Sequence, residues 1–493
     1  MFKKIIALTC IGTLLFSFSV AANEKDERVW KDEIIYSLIV DRFNNGNEEN
    51  DFDVNMQDPY SFNGGDFQGI INKLDYLQDM GFTAIQLSPI FDNGEGGYHG
   101  EWVIDYYQTE EHFGTIEELK KLINEMHSRG MKLILEFPIH QVGKEHPWTT
   151  GPDKKEWLQY EGEAPYLALT NKEVQQYLIE AALWWQKETE LDGYFLHDMT
   201  DVPLSFVENF VTGIKAADPN FYISASGTTV SYEEISNYLE AGIDNFMDTK
   251  LNAPLRQAFA QPDQSLQPIF EVVNESKATV RDLGQLSAFF DDRYMERFTR
   301  DMVNANEYPG PRWKLALTYM YTQPEIPVIY YASELAVDGG MEPENRSLMG
   351  FRADQELIDF IVRLGEVRQE QKALTRGTME VLYENNGMTI FTREYEGETV
   401  VVAINNTTKD QSVSIPVDQF EEDKELRGLI GTDMVRTDTG EFNIFVGRET
   451  SEIYKVVPKS GYNIPFILSI FFIFIAFALF LYIAWKRGKK QVS

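Results

Sequence analysis

The sequence predicts an α/β fold: a closed parallel (β/α)8 barrel with a small insert after its third strand, then an antiparallel β-sandwich and a single transmembrane helix. Three observations carry this prediction. Eight strand-like apolar runs alternate with amphipathic stretches up to residue 377. From residue 378 the pattern changes to short alternating runs bounded by Gly, Asn and Asp. Close to the C-terminus, Ile464 to Trp485 is apolar and carries no charge.

Taken in order, residues 1–22 read as an export signal: Lys3 and Lys4 precede the apolar run Ile5–Phe18, and Ser19, Ala21 and Ala22 offer a cleavage site. Cys10 lies inside that segment behind Thr9, a poor match to a lipid-attachment site, so the mature chain is expected to lack cysteine and disulfides. The barrel is expected over 23–377, with strands at Ile34–Val40, Ala84–Leu87, Lys132–Phe137, Gly193–His197, Phe221–Ala225, Ile243–Met247, Ala288–Phe290 and Val328–Tyr331. Ile116–Met126 and Glu173–Trp185 show the helical spacing expected between them. The polar stretch at 139–171, rich in Gly, Pro and Trp, is long for a βα loop and reads as an inserted subdomain. Met379–Leu382, Met388–Arg393, Thr399–Asn405, Gln411–Ile415 and Ile453–Val457 read as strands of a sandwich over 378–458. A helix at 463–485 is long enough to cross a bilayer, and Lys486, Arg487, Lys489 and Lys490 in the tail 486–493 mark the cytoplasmic side. The chain is therefore expected in the cell membrane, single-pass, with its large domains extracellular.

The 493 residues carry a net charge of −34. Leaving out the six basic residues of the two hydrophobic ends, the exterior part carries about −40, which disfavours nucleic acid and anionic surfaces as partners.

A series of ordered motifs runs through the barrel. Asp41-Arg42-Phe43, Gly64-Gly65-Asp66 and Leu87-Ser88-Pro89-Ile90 come first, then Gly97-Tyr98-His99-Gly100, Asp105-Tyr106-Tyr107 and His112-Phe113-Gly114-Thr115. Asp192-Gly193-Tyr194, Pro327-Val328-Ile329-Tyr330-Tyr331 and Glu342-Pro343-Glu344-Asn345-Arg346 follow. Each is weak alone; their order and spacing are specific. Over residues 30–457 the chain resembles the α-amylase family, glycoside hydrolase family 13. That resemblance implies a TIM-type barrel and a site at the C-terminal ends of its strands. It also implies retaining hydrolysis of α-glucans by a carboxylate nucleophile and a carboxylic acid about 5 Å apart, with a third carboxylate gripping the sugar.

The matching positions do not hold those groups. The nucleophile position reads His197, within Asp192-Gly193-Tyr194-Phe195-Leu196-His197. Phe221-Tyr222-Ile223-Ser224-Ala225-Ser226 contains no acid, and Ala225 is taken as the general-acid position. Arg293 and Tyr294 stand where the family has its histidine and third carboxylate. Relocated carboxylates, Asp198 with Asp291 or Asp292, are the alternative acids for a surviving activity, although one step along a strand turns the Asp198 side chain away. On the substrate side the resemblance keeps Tyr98, His99, His140 and the pair Glu342 and Arg346 as sugar contacts. The family's main calcium site falls on Ile139 and Tyr166 and is expected to be lost. Asn45, Asn47, Asn50, Asp51, Gly64 and Asp66 resemble the N-terminal calcium loop of some members.

Three functions are compatible with these residues. The first is a cell-surface protein of carbohydrate metabolism that binds α-glucan (starch or maltooligosaccharide) with lost or much reduced hydrolysis. The second is an atypical α-amylase working through Asp198, and the third a non-catalytic ectodomain partnering a membrane protein.

Overall fold

The computed structural model describes residues 28–352, 355–420, 423–437, 440–459 and 464–490. The expected export signal lies outside the described residues.

Eight strands close a parallel barrel in sequence order: β1 (Ile35–Leu38), β2 (Ala84–Leu87), β3 (Lys132–Glu136), β4 (Gly193–Leu196), β5 (Tyr222–Ala225), β6 (Asn245–Met247), β7 (Leu286–Ala288) and β8 (Ile326–Tyr330). Ile35 pairs with Ala84 on one side and Val328 on the other, closing the ring. The strands read as continuous apolar runs because both faces are covered: one by the barrel interior, the other by helices. Helix α1 (Ile116–Ser128) shows how local sequence builds that outer ring. Thr115 accepts from the Glu118 backbone N–H while the Glu118 carboxylate accepts from the Thr115 N–H at 2.8 Å, a reciprocal cap. Leu119, Leu122, Ile123 and Met126 then recur on the face buried against the barrel.

Alternate strand residues point inward. Ile35, Ala84, Ile134, Phe195, Tyr222, Met247, Ile326 and Val328, with Phe289 just beyond β7, fill the barrel as one apolar cluster. Trp30 closes its N-terminal end, stacked on Tyr222 at 3.8 Å with the Lys132 ammonium 3.9 Å over its other face.

Two strand boundaries depart from expectation for visible reasons. Strand β7 ends at Ala288 rather than running to Phe290, because the Asn252 amide takes the carbonyls of both Phe289 and Phe290 (3.0 and 3.1 Å) and draws the chain off the ladder. Strand β1 stops at Leu38 because Val40–Phe43 is already a helical turn, held by Asp41 accepting from the N–H groups of Asn63 and Gly64. In the insert, Leu158–Glu161 and Ala164–Leu167 form a hairpin; bridge Gln141–Tyr166 joins it to the start of the insert, and bridge Val103–Val142 ties the insert to the connection after β2.

The C-terminal domain is a six-stranded antiparallel sheet with a two-stranded sheet beside it. Its strands are β9 (Thr378–Asn385), β10 (Met388–Tyr395), β11 (Glu398–Asn405), β12 (Gln411–Pro416), β13 (Lys424–Gly428), β14 (Met434–Val435), β15 (Glu441–Val446) and β16 (Thr450–Pro458). The order is β9-β10-β11-β16-β13-β14, with β12 and β15 forming the second sheet. Strands β13, β14 and β15 are additions to the sequence expectation. In β15, Phe442, Ile444 and Val446 alternate inward, joining Ile390, Val401 and Ile415 in a separate core. The domain is keyed to the barrel by Arg312, whose Nη1 donates to the Asn406 side chain at 2.7 Å. After β16 comes helix α2 (Ile464–Lys490). Its segment Leu468–Lys486, with mean hydropathy 2.5, is long and apolar enough to cross a membrane.

Candidate functional site

The inward positions at the C-terminal ends of the strands continue the parity of the barrel interior. Phe195 faces in, so His197, two residues on, does too. Tyr222 faces in, and the same parity selects Ser224 and Ser226. This corrects one position: Ala225 packs outward in the barrel–helix core, and Ser226, not Ala225, lines the site.

His197, Ser226 and Tyr294 are brought together. The His197 Nδ1 lies 3.0 Å from the Ser226 hydroxyl, and its ring stacks on Tyr294 with centroids 4.0 Å apart and planes within 7°. Burial, then the charge of Arg293, lowers the His197 pKa to about 4, so it is a neutral imidazole near pH 7. The space between the strand ends is filled by Arg293. Its guanidinium bonds the Glu136 carboxylate, donates to the Tyr294 hydroxyl at 2.7 Å, and lies 3.4 Å from Glu101. Tyr294 in turn donates to Glu101 at 3.0 Å. Burial pushes the Glu136 carboxyl up to about 7 despite Arg293. Burial also acts to raise Glu101, but Arg293, His99 and Arg346 outweigh it and hold that group at about 2. The cavity left among these groups measures about 30 Å3, space for one or two waters.

Glu101 and Glu136 are absent from the sequence-based site. An acid ending the apolar run Lys132–Phe137 was the available signal for Glu136; Glu101 directly follows the Gly97–Gly100 motif.

The expected sugar contacts join the same network. The Tyr98 hydroxyl donates to Glu342 at 2.8 Å, and Arg346 donates to the same Glu342 oxygen at 2.9 Å. Arg346 also bonds the Arg293 carbonyl at 3.0 Å, and the Arg42 guanidinium lies 3.8 Å over the Tyr98 ring. His99 is 5% exposed; its Nδ1 accepts from the Glu101 N–H, and burial holds its pKa at about 4. A neutral ring means that its 3.8 Å approach to the Glu101 carboxylate is no ion pair. The ring of His140 bonds the carbonyl of Asp198. Asp198 itself adopts a left-handed conformation (φ 56°), and its buried Oδ1 has no partner.

In the expected calcium loop, Asn45 donates to both carboxylate oxygens of Asp51 (2.9 and 2.8 Å), and the buried Oδ1 of Asn50 has no partner. Gly64 adopts φ +90°, and a Cβ there would stand 2.7 Å from the Asn45 amide and 2.9 Å from Asp51. Asn47 accepts from the Glu49 N–H. Asp66 is committed to backbone: it accepts from Gly46, Asn47 and Gly69, capping Phe67–Ile71. The unpartnered Asn50 oxygen beside this oxygen-rich loop fits a hard cation. Ile139 is packed in the main apolar core and Tyr166 pairs with Gln141. Among the described residues, Glu110, Glu111 and His112 are also close enough to share an ion, but both His112 nitrogens are already used, by Glu110 and by the Phe52 carbonyl.

The α-amylase catalytic-domain model matches residues 37–202, and the α-amylase C-terminal-domain model matches residues 377–454. An α-amylase from Anoxybacillus is 43% identical with a TM-score of 0.86, the match covering 88% of this chain and all of that one. This chain belongs to the α-amylase family. The α-amylase of Geobacillus thermoleovorans, solved with acarbose, is 42% identical (TM-score 0.84), again over 88% of this chain and 100% of the other. A beta/alpha-amylase of Paenibacillus polymyxa is 27% identical over 86% of this chain, which spans 38% of that protein's length. Cyclomaltodextrinases and maltogenic amylases are further relatives of this α-amylase family member.

Proposed function

We propose that this protein is a cell-surface, membrane-anchored α-glucan-binding member of the α-amylase family with lost or much reduced hydrolysis. The observation that carries the reading is the filled site: His197 stacks on Tyr294, and Arg293 occupies the centre, bonded to Glu136. A retaining hydrolase needs a carboxylate and a carboxylic acid flanking a bound sugar. Here the three matching positions hold an imidazole, a serine and a phenol, and the nearby Arg293 guanidinium is bonded to Glu136 and Tyr294. In this reading the rim of the mouth is the surface that binds glucan. Trp102 is exposed there beside His99 (4.7 Å). Aromatic faces of this kind suit sugar C–H surfaces.

Membrane anchoring rests on α2 and the basic residues that follow its apolar segment. Asn45, Asn50, Asp51 and the Gly64 carbonyl are the residues that would hold calcium, which would brace the loop rather than take part in chemistry.

Calorimetric titration with acarbose and with maltoheptaose tests the reading, alongside reducing-sugar release from starch. Binding without turnover is expected, weakened by Trp102→Ala; no binding of either ligand would overturn it. A second reading, weak hydrolysis through Asp198, draws on the left-handed backbone and unpartnered oxygen of that residue. It requires starch cleavage that Asp198→Asn abolishes.

A further inference from the structure

A cavity of about 230 Å3 lies far from the barrel mouth, where the segment after Trp30, the loop 280–284 and the start of β9 meet. Its charge runs against the rest of this acidic chain. Lys31, Lys277, Arg281 and Arg376 line it, and Asp282 is the one lining acid. Behind the wall stand Lys372, which bonds Asp32, and two fully buried arginines, Arg368 and Arg393, which donate to backbone carbonyls. The nearby acids are already spent. Asp282 takes the Lys31 ammonium on one oxygen and the Gly284 N–H on the other, and Asp32 accepts from Arg376, Lys372 and Thr375. Among the described residues Arg281 makes no ion pair or hydrogen bond, and Lys277 donates to the Met379 carbonyl at 3.0 Å. Burial and the charge of Arg393 lower the Lys277 pKa, with Glu380 opposing from the outer edge. Such a basin concentrates anions locally even on an acidic protein.

We propose that this cavity binds a small multivalent oxyanion of the phosphate class, with Arg281 and Lys277 as its principal donors. The volume is below the ~300–1,000 Å3 of sites for drug-sized ligands. It accommodates a tetrahedral oxyanion with several waters at ~30 Å3 each. A guanidinium with no other partner can present two parallel N–H groups to such an anion, and the ammonium adds a point charge. The site is independent of the barrel mouth and does not rest on glucan binding. The same chemistry is offered by free phosphate and by a phosphate-bearing lipid headgroup.

The test uses the full chain in a neutral detergent. Inorganic phosphate is titrated by thermal unfolding and calorimetry against chloride at matched ionic strength, with Arg281→Ala, Lys277→Ala and, as a remote control, Lys120→Ala. Phosphate-specific stabilisation is expected, with affinity about tenfold weaker in each pocket variant, as for loss of a charge-assisted bond, and unchanged in the control. Arg281 is exposed, so its replacement leaves the fold intact. Phosphate acting no differently from chloride, or equally on all four proteins, would overturn the proposal. A parallel arm adds phosphatidylglycerol vesicles to the protein reconstituted in phosphatidylcholine. Competition with phosphate that depends on Arg281 assigns the site to a headgroup; phosphate binding without competition assigns it to the free ion.

Discussion

Replacing Arg293 by alanine is the sharpest probe of the filled mouth. Arg293 and Glu136 are each 7% exposed at their side chains, and Glu101 shares the same guanidinium. Removing Arg293 leaves Glu101 uncompensated and forces Glu136, already held at about 7, to take up a proton, at a cost of up to about 3–5 kcal/mol. The 436 residues expected in the exterior domains (23–458) have an unfolding entropy of about 0.9 kcal/mol/K at ~2.1 cal/mol/K per residue. The expected fall in Tm is therefore about 3–6 °C. Adding Glu136→Gln should return part of it, because the amide removes the orphaned charge, giving a coupling energy of about 1–3 kcal/mol. Scanning calorimetry of the four proteins at pH 7 reads both quantities. A single variant within about 1 °C of the parent, together with an additive double variant, would show that Arg293 does not hold these acids, and the case for a filled site would fail.

Further outcomes follow from the same geometry. His99, His146 and His197 are each held at about 4 by burial, against 6.5 when unfolded, so the unfolded state binds more protons between those values. Stability should then fall by several kcal/mol as pH drops from about 6.5 toward 4, offset in part by Glu136, whose raised pKa acts with the opposite sign between 4.5 and about 7. Urea unfolding at pH 7, 5.5 and 4.5 checks this, and a flat profile would contradict it. His197→Asp alone should not yield starch hydrolysis above background, because Ser226 supplies no acid and Tyr294 still occupies the third position; reducing-sugar release reads the result. If the N-terminal loop holds calcium, saturation at about 100 times the Kd stabilises by ~2.7 kcal/mol. EDTA should then lower Tm by about 3 °C, and Asp51→Ala should remove the response to added calcium.

The barrel was legible because a strand covered on both faces must be apolar throughout; seven of the eight runs carry their strands, while the run Ala288–Phe290 shares only Ala288 with β7 (Leu286–Ala288). Their ends depended on distant partners. Nothing near Phe290 announces that Asn252 will take its carbonyl. The presence of His197 and Tyr294 at the mouth was legible from motif order, but the choice between Ala225 and Ser226 needed the parity of the ladder. The compensating charges were not legible, because Glu136 ends strand β3 while Glu101 lies in the connection after β2, and the two meet only around Arg293. That convergence also ties His197, Ser226 and Tyr294 into one network. Arg293 and Arg346 already face Glu101, Glu136 and Glu342, so a carboxylate introduced at position 197 enters a buried site whose two arginines are already paired. A carboxylate at 294 would also remove the phenol that links Arg293 to Glu101. Each such single replacement therefore incurs a desolvation cost that only a concerted change can relieve. Starch hydrolysis by any variant should require replacing Arg293 together with His197, Ser226 and Tyr294, since Arg293 is bonded to both Tyr294 and Glu136.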